Sequence, residues 1–275
     1  MIGQAYNRSF IKGLIDKDYF PRFVLIVGDK GSGKKTLADY IAVNMNCNSY
    51  IVPDVKIATI REVINNSYYQ KTKMLYIIPD IDDMSKEAQN SILKITEEPP
   101  NKAYFVMTVD DLNNVLPTIK SRAYQIWMDK YSAKEITEYA VGKVTTSMSD
   151  ICNICETPGE VDEFIRCGEV KFIQFVDKVV DNVDSVSTAN SLKLLENLDL
   201  KNTGTGYDVQ LFLKIFIRQC MSRAATIFDY KESLHYIQMV IPSSEALKKL
   251  NVRGANKNMI MTNWIFDIRS GNGSN

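Results

Sequence analysis

An α/β fold built on a parallel sheet is predicted for the first half of this 275-residue chain, with helices alone in the second half. Three observations predict it. Short apolar runs alternate with helical periodicities up to about residue 130, one of those runs ends on a glycine-rich loop, and the strand signals stop beyond that point. Strands of a parallel sheet are covered by helices on both faces, so they read as continuous apolar stretches rather than as alternating ones.

The elements follow in order. Phe23–Val27 (FVLIV) predicts the first strand, GDKGSGKKT (28–36) the loop, and LADYIAVNM (37–45) the helix after it. Four more strands are expected at Ser49–Val52, Met74–Ile78, Ala103–Thr108 and Tyr124–Trp127. Thr59 with Glu62, and Ser132 with Glu135, have capping-box spacing at expected helix starts. Residues 131–168 read as a small helical unit interrupted at TPG (157–159). Residues 169–275 read as longer helices, such as Lys171–Val183 and Val209–Ile227, broken by KNTGTGYD (201–208) and ending in a disordered tail, SGNGSN (270–275). The expected organisation is therefore an α/β domain over 1–130, a helical lid over 131–168 and a helical C-terminal domain over 169–275.

Composition narrows the function classes. The chain is 45% hydrophobic, enough for a sizeable core, and its 33 Lys and Arg balance 33 Asp and Glu. No global basic field points to nucleic acid, so any DNA contact has to come from a local patch. No secretion signal and no run of about 18 apolar residues is present, which predicts a cytoplasmic protein without membrane partners. The odd number of cysteines, five without framework spacing, predicts reduced thiols, and a single histidine, His235, leaves little for imidazole catalysis.

The loop carries the chemistry. In G-x-x-x-x-G-K-[ST], backbone N–H groups cradle phosphates, the lysine reaches the outer phosphates and the hydroxyl holds Mg²⁺. Gly28, Gly31, Gly33 and Lys34 fit this candidate nucleotide site, but Lys35 stands where the hydroxyl belongs. An ammonium has no lone pair to give a metal. Thr36 is one residue further on, about 100° around a helix.

Residues 73–122, KMLYIIPDIDDMSKEAQNSILKITEEPPNKAYFVMTVDDLNNVLPTIKSR, go beyond a generic phosphate loop. The stretch resembles the core of the clamp-loader ATPases of the AAA+ class, whose pattern runs D-E-A-D-x-M, then A-x-N-A-L-L-K-x-L-E-E-P-P, then L-L-P-T-I-x-S-R-C. IREVINNSYYQKTK (60–73) and GANKNMIMTNWIFDI (254–268) are similar to further parts of that family. The resemblance implies an AAA+ domain, a lid and a collar that holds a ring together.

It also implies losses. Pro79 falls at the metal-organising aspartate and Asp80 at the catalytic glutamate, and shifting the register by one puts Ile81 at the base position. Either register lacks one carboxylate. Val109 replaces the phosphate-sensing threonine after Thr108, and Asp162 stands where motor subunits carry an arginine. Ser121-Arg122 keeps the S-R of S-R-C, the arginine that in this family reaches a neighbour's ATP site in trans. Lys56 and Arg61 begin the helix that in the family faces DNA; a solvated helix face is their other reading. Cys152 and Cys155 form one C-x-x-C with no second pair, so no metal site is expected.

A degenerate phosphate loop beside an intact trans arginine is the pattern of the delta-prime type of subunit. The implied role is a subunit without ATPase activity of its own, which assists loading of a sliding clamp on primer–template DNA. Its implied partners are gamma/tau-like motor subunits, a delta-like subunit, the clamp and that DNA. No cofactor is expected, with ATP or ADP binding left open. Two rivals stand beside this reading: an ATP-hydrolysing motor subunit, and a regulatory interaction protein on a degenerate AAA+ frame.

Overall fold

The computed structural model describes residues 2–183, 187–201, 203–250, 252 and 254–271. The chain forms two compact units, one of residues 1–138 with 157–159 and the other of residues 139–156 with 160–275.

The first unit opens with α1 (Ala5–Asp16) and then alternates β1 (Phe23–Val27), α2 (Lys34–Asn44), β2 (Asn48–Ile51), α3 (Ile57–Ser67), β3 (Met74–Ile78), α4 (Lys86–Glu97) and β4 (Ala103–Val109). A four-residue helix, α5 (Pro117–Lys120), leads into β5 (Tyr124–Trp127), and α6 (Ala133–Ala140) follows. All four ladders are parallel and the strand order is β2-β3-β4-β1-β5. The five expected strands are present, with ends moved by at most one residue.

Both faces of the sheet are covered, and the strand period of two decides which residue goes where. Phe23, Leu25 and Val27 of β1 join one core with Ile60 of α3, Ile92 of α4 and Phe105 of β4. Val24 and Ile26 join the other, with Ile11 of α1, Leu37 and Ile41 of α2 and Val106 of β4. Phe105 stacks on Tyr76 at 5.3 Å between ring centres.

One expected capping box forms and one does not. Ser132 N donates to Glu135 Oε2 at 2.8 Å and Glu135 N to Ser132 Oγ at 3.3 Å, so the box opens α6. Thr59 and Glu62 do not open α3, which starts two residues before Thr59 at Ile57. Asp54, ahead of the helix, accepts from Lys56 N at 3.0 Å and from Thr59 Oγ1 at 2.7 Å, so the Thr59 hydroxyl is engaged outside the helix and α3 starts without a side-chain cap.

The second unit is helical: α7 (Met148–Ile154), most of α8 (Pro158–Arg166), α9 (Glu169–Asn182), α10 (Thr188–Leu194), α11 (Val209–Thr226), α12 (Tyr230–Leu250) and α13 (Lys257–Gly271). Its core centres on Trp264, whose ring meets Phe212 and Phe216 edge-on at 5.6 and 5.0 Å. The expected tail is shorter than read, because Ser270 and Gly271 complete α13; residues 272–275 lie outside the described residues. No helix among the described residues is long and apolar enough to cross a membrane.

Candidate nucleotide site and arginine edge

Parallel pairing brings the C-terminal ends of β1, β3 and β4 to one edge, where ligands of α/β sheets bind. The loop 28–36 leaves β1 there, Pro79 and Asp80 leave β3, and Asp110 leaves β4. The loop starts as the pattern requires. Gly31 and Gly33 have φ of +79° and +87°, a region costly to residues with a Cβ, and Gly33 leads directly into α2.

Lys34 is engaged by its own chain. Its ammonium, on a side chain only 7% exposed, donates to Gly28 O at 2.8 Å, to Asp29 O at 3.0 Å and to the Asp110 carboxylate. Three donors meet three acceptors, so the residue that should reach phosphate has none left over in this arrangement. A buried ammonium without such partners would be costly, which explains the closeness of the contacts.

Lys35 pairs with Asp80, Nζ to Oδ2 at 3.4 Å. A cationic side chain here faces the carboxylate that would otherwise lie close to a metal. Asp80 adopts a left-handed backbone, φ 51° and ψ 52°, and is fixed by Thr108: its N–H donates to Thr108 Oγ1 at 2.9 Å. Thr36 is exposed on α2, and Pro79, half-buried, offers no side-chain ligand.

The TPG turn reaches the same loop. Gly159 N donates to Gly31 O at 3.0 Å, and Thr157 Oγ1 to Lys30 O at 3.3 Å. A Cβ on Gly159 would lie 2.4 Å from Gly31 Cα, so only glycine permits the approach.

Asp82, two residues past Asp80, holds the neighbouring strand end. Its Oδ2 accepts from Asp110 N at 3.2 Å and Asp111 N at 3.0 Å, while Oδ1 is buried without a hydrogen-bond partner. Burial, aided by the Asp110 charge, pushes its carboxyl above the usual carboxylate range, against the pull of the backbone N–H groups. The folded state therefore prefers the protonated form, and ionisation costs stability as pH rises from the unfolded-state value through the folded one. Asp82→Asn keeps an acceptor for both N–H groups and removes the charge. It should raise stability at pH 7, on the order of 1 kcal/mol, and the gain should vanish below about pH 3. Melting curves from pH 3 to 8 that show a constant difference, or a loss at pH 7, would contradict this account.

Arg122 lies two residues past the end of α5 and is 38% exposed. Its Nη2 donates to Glu97 Oε1 at 2.9 Å and its Nη1 to Thr118 O at 3.1 Å. Lys56 and Arg61 are exposed, Lys56 within 3.4 Å of Asp54. Tyr68 and Tyr69 are 44% and 82% exposed and belong to no core.

In the second unit Asp162, at the expected arginine position, accepts from Tyr139 Oη at 2.7 Å and lies 3.8 Å from Lys143. Cys155 is buried, which pushes its thiol up to about 12, and Cys152 is half-buried. No group of three or more metal-ligating side chains occurs among the described residues.

Asp82 and Glu97 were not singled out from sequence, and TPG (157–159) was read only as a break in the helical lid. Both carboxylates had a signal there, since Asp82 matches the last aspartate of D-E-A-D-x-M and Glu97 the first glutamate of E-E-P-P.

Comparison with known proteins gives a consistent set. Residues 50–132 match the family described as DNA polymerase III, delta subunit. The DNA polymerase III subunit gamma of Buchnera aphidicola (Schizaphis graminum) is 24% identical over 241 residues, covering 74% of this chain and 61% of that protein. The gamma/tau subunit of Mycoplasma genitalium is 25% identical over 227 residues, 71% of this chain and 37% of that one. The chain thus spans less than two thirds of either relative. In fold it is similar to a DNA polymerase III gamma subunit-related protein from Thermotoga maritima, with a TM-score of 0.52 at 16% identity, over 96% of this chain and 98% of that one. With a five-stranded parallel sheet in the order 2-3-4-1-5 and a phosphate-type loop after β1, the chain is similar, over residues 50–132 and along much of its length, to DNA polymerase III delta, gamma and gamma/tau subunits.

Proposed function

We propose that the chain is a delta-prime-like subunit of a DNA polymerase clamp loader, one that turns over no ATP itself and lends Arg122 to a neighbouring motor subunit. The observation that carries this reading is the charge arrangement of the loop: Lys34 is matched by Gly28 O, Asp29 O and Asp110, and Lys35 by Asp80. Mg·ATP would have to displace the buried contacts of Lys34, with no hydroxyl at position 35 and no carboxylate at position 79 to receive the metal. In this reading residues 1–130 are the AAA+ domain, 131–168 the lid and 169–275 the collar. The partners are gamma/tau-like motors, a delta-like subunit, the sliding clamp and primer–template DNA, in the cytoplasm.

The motor-subunit alternative draws on the gamma and gamma/tau names of its relatives and on the preserved glycines of the loop. Steady-state phosphate release separates the two. The purified chain should stay at background with Mg·ATP, and Lys35→Thr should leave it there because the missing carboxylate is still missing. Turnover clearly above background and abolished by Lys34→Ala would establish the motor reading instead.

A further inference from the structure

At the other end of the sheet, where the strands begin, an open cleft of about 630 Å³ is lined by four cations, Arg22, Lys71, Lys73 and Lys102, and one carboxylate, Asp18. We infer that this cleft binds phosphate oxyanions, those of a nucleic-acid backbone or of a free polyphosphate.

Its position follows from the topology. Arg22 immediately precedes β1, Lys71 and Lys73 precede β3, and Lys102 precedes β4, three strands that are neighbours in the order β3-β4-β1. The backbone at these points is fixed by the sheet: Phe105 N donates to Arg22 O at 2.7 Å and Met74 N to Lys102 O at 2.9 Å. Arg22 and Lys102 are thus fixed at the starts of strands, with Lys71 and Lys73 in the bend just before β3, while the chain as a whole has no net charge.

Some of this charge has a local use. Helices α2, α3 and α4 end near this edge, and their carbonyl-bearing C-termini favour cations. Lys102 Nζ donates to Lys71 O, Arg22 Nη1 to Pro100 O at 2.6 Å, and Lys73 lies 3.5 Å from the Asp18 carboxylate, itself 88% exposed. Those contacts use one donor each of an ammonium with three and a guanidinium with five. Three asparagine side chains add amide donors to the lining, which contains no aliphatic residue. An acidic peptide would bring apolar anchors with nothing here to receive them. Phosphate groups need only what is present, a fork for bidentate contact and point charges around it.

The site is distinct from the phosphate loop and from Lys56 and Arg61 at the start of α3, and it does not depend on the clamp-loader reading. Two probes test it on the purified full chain: a fluorescein-labelled 12-nucleotide single strand read by anisotropy, and inorganic tripolyphosphate read by calorimetry. At 50 mM salt at least one should bind, and Lys71→Ala/Lys73→Ala should weaken it about tenfold or more. For the single strand, the slope of log K against log salt should also fall by roughly 1.4, about 0.7 for each phosphate no longer neutralised. Binding of the single strand alone identifies nucleic acid as the source; binding of tripolyphosphate alone identifies a free polyphosphate. Failure of both probes, or a double variant that binds like wild type, overturns the site. If the variant does not fold, lysine acetylation of the wild type with and without probe decides: protection of Lys71, Lys73 and Lys102 supports the site, and unchanged labelling refutes it.

Discussion

In the clamp-loader complex proposed above, Arg122→Ala should slow hydrolysis at the one motor site the arginine would reach by about 10³- to 10⁵-fold, the range found for arginines supplied in trans to phosphoryl transfer. That is about 4–7 kcal/mol of transition-state stabilisation. The guanidinium is always charged and presents a fixed fork, so it meets developing phosphate charge without rearrangement. Its present partner does not stand in the way. An ion pair with both partners more than a third exposed, as Arg122 and Glu97 are, is worth about 0–1 kcal/mol and yields readily to phosphate. Other motor sites would have their own arginines, so bulk ATPase should fall only in part while clamp loading falls further. Assembly should survive, as sizing would show. An intact mutant complex that hydrolyses ATP and loads clamps at wild-type rates would leave Arg122 an ordinary surface arginine.

Trp264→Ala should act on stability instead, loosening the helical unit in which α11, α12 and α13 pack together. Trp264 is 1% exposed, packs edge-on against Phe212 and Phe216, and donates from Nε1 to Ser243 Oγ at 2.9 Å. Ser243 is fully buried and donates in turn to Met239 O at 2.7 Å, so the indole links α13 to α12 by a hydrogen bond as well as by packing. Truncation removes a large buried ring and costs about 3–5 kcal/mol, a large part of the 5–15 kcal/mol that holds a domain together. Urea unfolding should show the loss, and Trp264→Phe should recover most of the packing but not the bond to Ser243. A variant as stable as wild type would mean that α11, α12 and α13 do not share one core.

The two variants rest on parts of the chain that sequence disclosed unequally. The central strands were legible because a parallel sheet buries both faces, so FVLIV is apolar throughout and AYFVMTV all but Thr108, whereas the edge strands NSYI and YQIW carry polar residues and are mostly exposed. The damage at Lys35 and Pro79 was legible because it concerns what a residue type can and cannot ligate. The compensating pairs were not. Lys34 and Asp110 are 76 residues apart and Lys35 and Asp80 are 45 apart, and only the alignment of β1, β3 and β4 brings them together. The failed Thr59 cap shows a smaller version of the same limit. Spacing paired Thr59 with Glu62, but the Thr59 hydroxyl donates to Asp54, five residues earlier, and the helix starts at Ile57 instead.

The self-contained charge of the phosphate loop has one more consequence. A protein that binds nucleotide only when folded gains stability by mass action, about 2.7 kcal/mol at a hundredfold excess over Kd. With Lys34 already satisfied by Gly28, Asp29 and Asp110, this chain should gain nothing, and its melting temperature should be the same in millimolar ATP, in ADP and in neither. Its folded population would then be independent of the energy charge of the cell. On the delta-prime-like reading proposed above, the chain would stand as a fixed reference beside neighbours that bind and release nucleotide.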